Sequence, residues 1–242
     1  MIKGLYRSAS GMLPQIKRQE VVANNLANAS APGFKKDMVF TKELSRAEAR
    51  KVPRQSDWET PMIDQVYTKY EQGNFDQTGN PLDLAIEGDG FFMFDSGDGN
   101  SVLSRAGALT VSSDGFIVNP DGQQLLGDGG PIAVGGGNVS VNESGQVEVD
   151  NTVAANIRVV NIEDPTILVK VGKTSFMVPD GIEPAPAVNI IIRQGYLESS
   201  NVNVVEEMIG MITSYRNFEA DAKAVQAQDD SLEKLFNNVG RV

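Results

Sequence analysis

Two stretches, one at each end of the chain, carry apolar residues at alternating spacings of four and three. Leu5, Ala9, Met12, Ile16, Ala23 and Leu26 form the first series, with Gln19 at its one polar step. Val204, Met208, Met211, Tyr215, Phe218, Ala222, Val225, Leu232 and Phe236 form the second, broken only by Asp229. A mean repeat of 3.5 residues keeps one stripe facing along a neighbouring helix, so each end is predicted to be a helix lying lengthwise against another. Each stripe therefore needs a partner surface.

Local signals mark where these helices start and stop. Pro14 is expected to kink the first helix, or to end a short helix near Leu13. Ser30-Ala31-Pro32-Gly33 then stops it. The second helix is expected from about Val204 to Asn237, since no Pro or Gly lies between Met211 and Asn238 and Gly210 weakens it only modestly. Asn203 or Asn201 suits the N-cap, and Glu206 and Glu207 suit the first turn, where the helix dipole favours negative charge. Asn24, Asn25 and Asn28 admit two readings: a cluster of amides closing the first helix, or donors to a neighbouring subunit.

Between the ends the texture changes. Ten short runs alternate with turn dipeptides: 82–87, 90–95, 101–105, 108–112, 116–119, 123–126, 156–162, 167–171, 175–178 and 188–194. Their punctuation is Gly-Asp-Gly, Asp-Gly, Asn-Pro-Asp-Gly and Pro-Asp-Gly, which signals hairpins and turns. The expected organisation is an N-terminal helix at 1–30, an extended polar arm at 31–79, a β-rich domain at 80–200, and a C-terminal helix at 201–242 pairing with 1–30. The fold class is thus mainly β with helical termini: an all-β central domain plus N- and C-terminal α-helices forming a coiled-coil-like pair. Charge supports the pairing, because residues 1–36 hold six Lys/Arg against one Glu and residues 201–242 hold four Lys/Arg against seven Asp/Glu.

Composition removes most chemistries. The 242 residues include no His and no Cys, so imidazole bases, thiolate nucleophiles, and His- or Cys-ligated metals are absent from the sequence. A net charge of −11 argues against nucleic acid as a partner. No run of 18 apolar residues exists to insert in a membrane, and the first residues lack the apolar core of a cleaved secretory signal. The glycine-rich stretches lack a Gly-Lys-Ser/Thr ending and read as hairpin turns. Asp95–Asn100 has the wrong ligand spacing for a calcium loop. Adjacent carboxylates such as Glu206/Glu207 and Asp229/Asp230 do not face one another on a helix. Hence no catalytic, cofactor-binding or metal residue is expected, and the chain is not expected to be an enzyme. Trp58, the single Trp, either anchors an intersubunit contact or covers a local cluster.

Three blocks of sequence resemble one family. Ser10-Gly11-Met12 with Asn24-Asn25-Leu26-Ala27-Asn28 and Pro32-Gly33-Phe34-Lys35 is similar to the N-terminal signature of bacterial flagellar rod and hook proteins. Gln72-Gly73-Asn74-Phe75 and the run from Thr78 to Phe92 resemble the core signature of the rod members. Gly195–Val202, Glu206-Glu207-Met208 and Tyr215-Arg216-Asn217-Phe218-Glu219-Ala220 resemble its C-terminal signature. Ala31, where Thr is usual, and the order Tyr215-Arg216 are departures. The resemblance spans the chain and is nearest to the proximal-rod and distal-rod members. It implies a structural subunit of the flagellar basal body that polymerises helically through its terminal helices and transmits torque. It also implies partners among copies of itself and other rod and hook proteins, passage through the flagellar export apparatus without a cleaved signal, and a place in the periplasm-spanning rod. The assembly residues implied are Leu5, Ala9, Met12, Ile16, Asn24, Asn25, Leu26 and Asn28, with Val204, Met208, Met211, Tyr215, Phe218, Val225, Leu232 and Phe236. The alternatives are an extracellular β-rich carbohydrate- or matrix-binding module with helical flanks, which sixteen aromatic residues support thinly, and a two-carboxylate hydrolase.

Overall fold

The computed structural model describes residues 2–42, 62–97, 99–179 and 181–239. Trp58 lies outside them. The protein is mainly β, with one helix at each end: α1, Ile2–Ala27, and α2, Val204–Val239. Two compact units emerge. One contains residues 1–27, 37–69 and 202–242, and the other contains residues 28–36 and 70–201.

The second unit is built on an antiparallel sheet. Its main path runs Val169–Lys170, Ser175–Met177, Ser101–Ser104, Phe91–Asp95, Gln124–Gly127, Ile117–Val118 and Thr110–Val111. Strand Val159–Asn161 joins through Phe91–Asp95. Each of the ten runs read from the sequence overlaps a strand. Alternation buries Phe92, Phe94, Leu103, Leu125 and Phe176 completely, and the apolar residues around them form two clusters. A separate three-stranded meander, Val139–Val141, Gln146–Val149 and Thr152–Asn156, turns at Asp150-Asn151. Both turn residues have positive φ (49° and 66°), as a two-residue hairpin turn with right-handed strand twist requires.

Long-range pairing closes the base of this unit. Leu84–Glu87 pairs with Ile191–Gln194, and Phe75–Gln77 pairs with Tyr196–Glu198. There the Glu198 carboxylate is buried between two buried cations. Its Oε1 accepts from Lys35 Nζ at 2.5 Å and from the Gly73 amide at 2.9 Å, and its Oε2 accepts from Arg105 Nη1 at 3.4 Å. Lys35 Nζ also donates to the Glu71 carbonyl at 2.7 Å, and Arg105 Nη2 to the Gly88 carbonyl at 2.7 Å. Burial pushes the proton affinity of Lys35 and Arg105 down, and the Glu198 charge opposes that shift.

In the first unit, α1 runs without interruption through Pro14, so neither a stop at Leu13 nor a short first helix is found. Residues 31–79 also hold more structure than a polar arm. Asp37–Lys42 pairs antiparallel with Met62–Thr68, with a bulge between Phe40 and Thr41. Nineteen residues separate the two strands, so no turn dipeptide announced the pairing.

Candidate assembly interface

Helices α1 and α2 pack against each other in antiparallel order. Asn25 meets Glu207, Val22 lies nearest Gly210, Gln15 meets Ser214, and Gly11 meets Asp221. Polar contacts are built into this pair alongside apolar ones such as Val22 against Gly210. Asn25 Nδ2 donates to Glu207 Oε2 at 3.2 Å, and Ser214 Oγ donates to the Gln15 carbonyl at 2.9 Å. An added Cβ on Gly11 would stand 3.2 Å from Asp221 Oδ2. Glu207, Ser214 and Asp221 are spaced by seven, and Gln228 continues the line, so one face of α2 carries a polar residue in every heptad.

The predicted seam residues divide between half-buried and exposed positions. On α2, Met211, Phe218, Val225 and Leu232 are half-buried between the polar positions, while Val204, Met208, Tyr215 and Phe236 are exposed. On α1, Ala9 and Ile16 are exposed and Met12 and Leu26 are half-buried. Leu5 falls within α1, its side chain outside the described ones. Of the apolar stripe on α2, some members are thus half-buried and others exposed, and a polar stripe runs beside it. The face that α1 offers carries Gln15, Gly11 and Asn25 beside the buried Val22. Matching polar residues to it satisfies groups that an apolar stripe would strand.

The asparagine cluster divides. Asn24 is exposed, whereas Asn25 and Asn28 are buried. Asn25 acts within its own chain: its Oδ1 accepts from the Asp37 amide at 2.9 Å, and its Nδ2 donates to the Asp37 carbonyl at 2.8 Å. The amide thus copies a strand-like pairing that ties the end of α1 to the start of the following hairpin. Asn203 is the N-cap of α2, its Oδ1 accepting from the amides of Val205 (3.1 Å) and Glu206 (3.3 Å). The sequence reading missed Glu207, Ser214 and Gln15. Their signal was the seven-residue interval of polar residues beside the apolar one.

What the pair leaves open is apolar. Val205, Met208, Ile209, Ile212 and Tyr215 are each between 48 and 65% exposed, and Leu13 and Ile16 of α1 are exposed as well. Five large apolar side chains along three turns exceed the scattered exposure usual on a soluble surface. Exposed ion pairs border the helices: Lys17 with Glu20, and Lys223 with Glu219, whose carboxyl the Lys223 hydrogen bond and charge hold below its ordinary range. Such surface pairs contribute little. Among the described residues, no group of acidic side chains could hold a metal ion, and no helix is long and apolar enough to cross a membrane.

Comparison with known proteins gives this geometry its setting. Residues 5–35 match the family described as flagella basal body rod protein, and residues 85–149 match the D1 domain of the flagellar hook protein FlgE/F/G. Residues 193–238 match the C-terminal region of the flagellar basal body rod FlgEFG proteins. The flagellar basal-body rod protein FlgG of Borreliella burgdorferi is 31% identical over the whole of both chains. The chain belongs to the flagellar basal-body rod proteins. Other relatives of this rod-family chain include FlgG of Agrobacterium fabrum, 29% identical over 98% of this chain and all of the relative. FlgF of Caulobacter vibrioides is 29% identical over both full lengths. The chain is accordingly a structural subunit of the basal-body rod, and the carbohydrate- or matrix-binding alternative is set aside. The two terminal family matches fall on α1 and α2.

Proposed function

We propose that this rod subunit polymerises helically through its terminal helices, with further copies of itself and with related rod and hook proteins, and that the resulting tube transmits torque. The observation that carries this reading is the exposed apolar stripe Val205, Met208, Ile209, Ile212 and Tyr215 on a helix that bonds α1 through Glu207 and Ser214. In this reading α1 and α2 act as a coiled-coil-like pair spanning 1–30 and 201–242, and the β-rich region 80–200 braces neighbours as an all-β domain. The predicted residues Leu5, Ala9, Met12, Ile16, Leu26, Val204, Met208, Met211, Tyr215, Phe218, Val225, Leu232 and Phe236 supply the contacts between subunits. The contacts are heterologous, because a closed two-fold dimer would end growth. The chain works without catalysis and without inserting into a membrane. It reaches the periplasm-spanning rod through the flagellar export apparatus.

Concentration-dependent light scattering with electron microscopy tests this. Wild-type protein should grow into ordered filaments or tubes. The double substitution Ile209→Asp/Ile212→Asp should abolish growth while leaving helical circular dichroism unchanged, because both side chains already face water. Permanently monomeric wild-type protein, or undiminished growth of the variant, would defeat the proposal.

A further inference from the structure

The linkers to the two helices meet at the base of the β-rich unit. Residues 28–36 follow α1 and residues 198–201 lead towards α2, and within the unit they are bonded together. The Gly33 amide donates to the Glu198 carbonyl at 2.7 Å, and the Lys36 amide to Asn201 Oδ1 at 2.8 Å. Beneath them lies the buried Lys35–Glu198–Arg105 cluster, whose members come from three distant parts of the sequence.

Position along the chain connects this cluster to the helix pair. Lys36 is followed directly by Asp37, the residue whose backbone Asn25 of α1 binds on both sides. Asn201 stands two residues before Asn203, the cap of α2. With the linkers pinned, the chain between the helices behaves as a connection of a few residues. With them released, it is a loop of more than 170 residues, from Asn28 to Asn203. The probability that two tethered segments meet falls as about the 3/2 power of loop length, so release lowers the local concentration of one helix around the other by roughly a hundredfold in the flexible limit. A folded β sheet that persisted after release would reduce the drop to about tenfold.

We infer that Glu198 is a positioning residue for the helix pair: by clasping Lys35 and Arg105 it holds the two linkers side by side, so that only a chain with a completed β-rich base presents α1 and α2 to each other. Glu198 is suited to the task because it stands late in the chain, and strands Phe75–Gln77 and Leu84–Glu87 also wait for partners from residues 191–198. An incomplete chain lacks the one carboxylate that bonds both Lys35 and Arg105, which keeps the base open. The inference rests on the reading of the helix pair as the assembly element, and it adds a condition under which that element forms.

The absence of native cysteine makes the test clean. In the full chain, Val22→Cys with Gly210→Cys places a thiol pair across the α1–α2 contact, where a Gly210 Cβ would lie 4.0 Å from Val22 Cγ2. Disulfide formation is timed in dilute monomer, with exchange of the Ile117 and Ile132 amides, both bonded within the sheet, reporting that the sheet stands. Adding Glu198→Gln should slow closure about tenfold or more with those amides still protected. Glu198→Asp, which keeps the charge, should recover part of the rate. Should Glu198→Gln unfold the sheet, Asn201→Ala, which removes the acceptor of the Lys36 amide, is read in the same way. Unchanged closure in whichever variant retains its sheet overturns the inference. Because the readout is intramolecular, it stands apart from polymerisation: failure of wild-type protein to polymerise would sink the proposed function and leave this result intact.

Discussion

Asn25 and Glu207 meet across 182 residues of chain, the Asn25 amide donating to a carboxylate that is itself buried. The same amide brackets Asp37 on both sides. One side chain therefore joins the end of α1, the first hairpin and the first turn of α2. Replacing it by Leu removes three hydrogen bonds, one of them to a buried carboxylate, at a cost of about 2–4 kcal/mol. Urea unfolding followed by far-ultraviolet circular dichroism should show that loss, and faster exchange of the Asp37 amide should locate it.

Each helix buries a polar side-chain atom that is left unsatisfied. Gln19 Nε2 and Gln228 Oε1 are buried with no hydrogen-bond partner among the described residues. Gln19→Leu should therefore stabilise the helices by about 1 kcal/mol, since it removes a stranded donor and adds apolar contact. Thermal unfolding with detection at 222 nm checks the sign; a lower midpoint would contradict the account.

Gly33 is required by both conformation and space. Its φ is +69°, and an added Cβ would stand 2.3 Å from the Ala106 amide nitrogen, which is backbone and cannot swing aside. Gly33→Ala should cost about 3 kcal/mol or more. Protease sensitivity near residue 33, measured against wild type, would report where the damage falls.

Lys35 makes stability depend on alkaline pH. Burial lowers its folded-state proton affinity below the ordinary 10.5, against the pull of Glu198. The folded protein then binds fewer protons at this site than the unfolded chain over the window ending near 10.5. Stability from this residue therefore rises as pH climbs through that window. The cost of the buried charge is present at neutral pH and relieved above the folded value. Urea midpoints at several pH values from about 7 to about 10 should rise in wild type relative to Lys35→Met, which lacks the titrating group. Parallel curves would refute it.

Helices and strands were readable because their signals are local. The Asn203 cap, the unbroken run after Met211, and the hairpin dipeptides each act within a few residues. The strand pairs that the reading lacked, Asp37–Lys42 with Met62–Thr68 and Tyr196–Glu198 with Phe75–Gln77, join segments 19 and more than 100 residues apart and carry no turn signature. Pro14 misled in the other direction. Its tendency to break a helix is local, yet α1 continues through it with Pro14 buried.

By itself, the amino-acid order determined a helix at each end, a strand-rich middle, and a repeat of 3.5 residues that demands neighbours. Tertiary structure decided which way those repeats point. Along α2, Glu207 and Met208 are adjacent residues heading two different stripes, one polar and one apolar, and periodicity serves both equally. The choice fell to Asn25, Gln15 and Gly11 on the opposite helix, which take the polar stripe because a buried amide or hydroxyl costs more when unpaired than an apolar side chain costs when left in water. Glu198 became a clasp for the same reason: its value depends on cations that only the folded chain brings near.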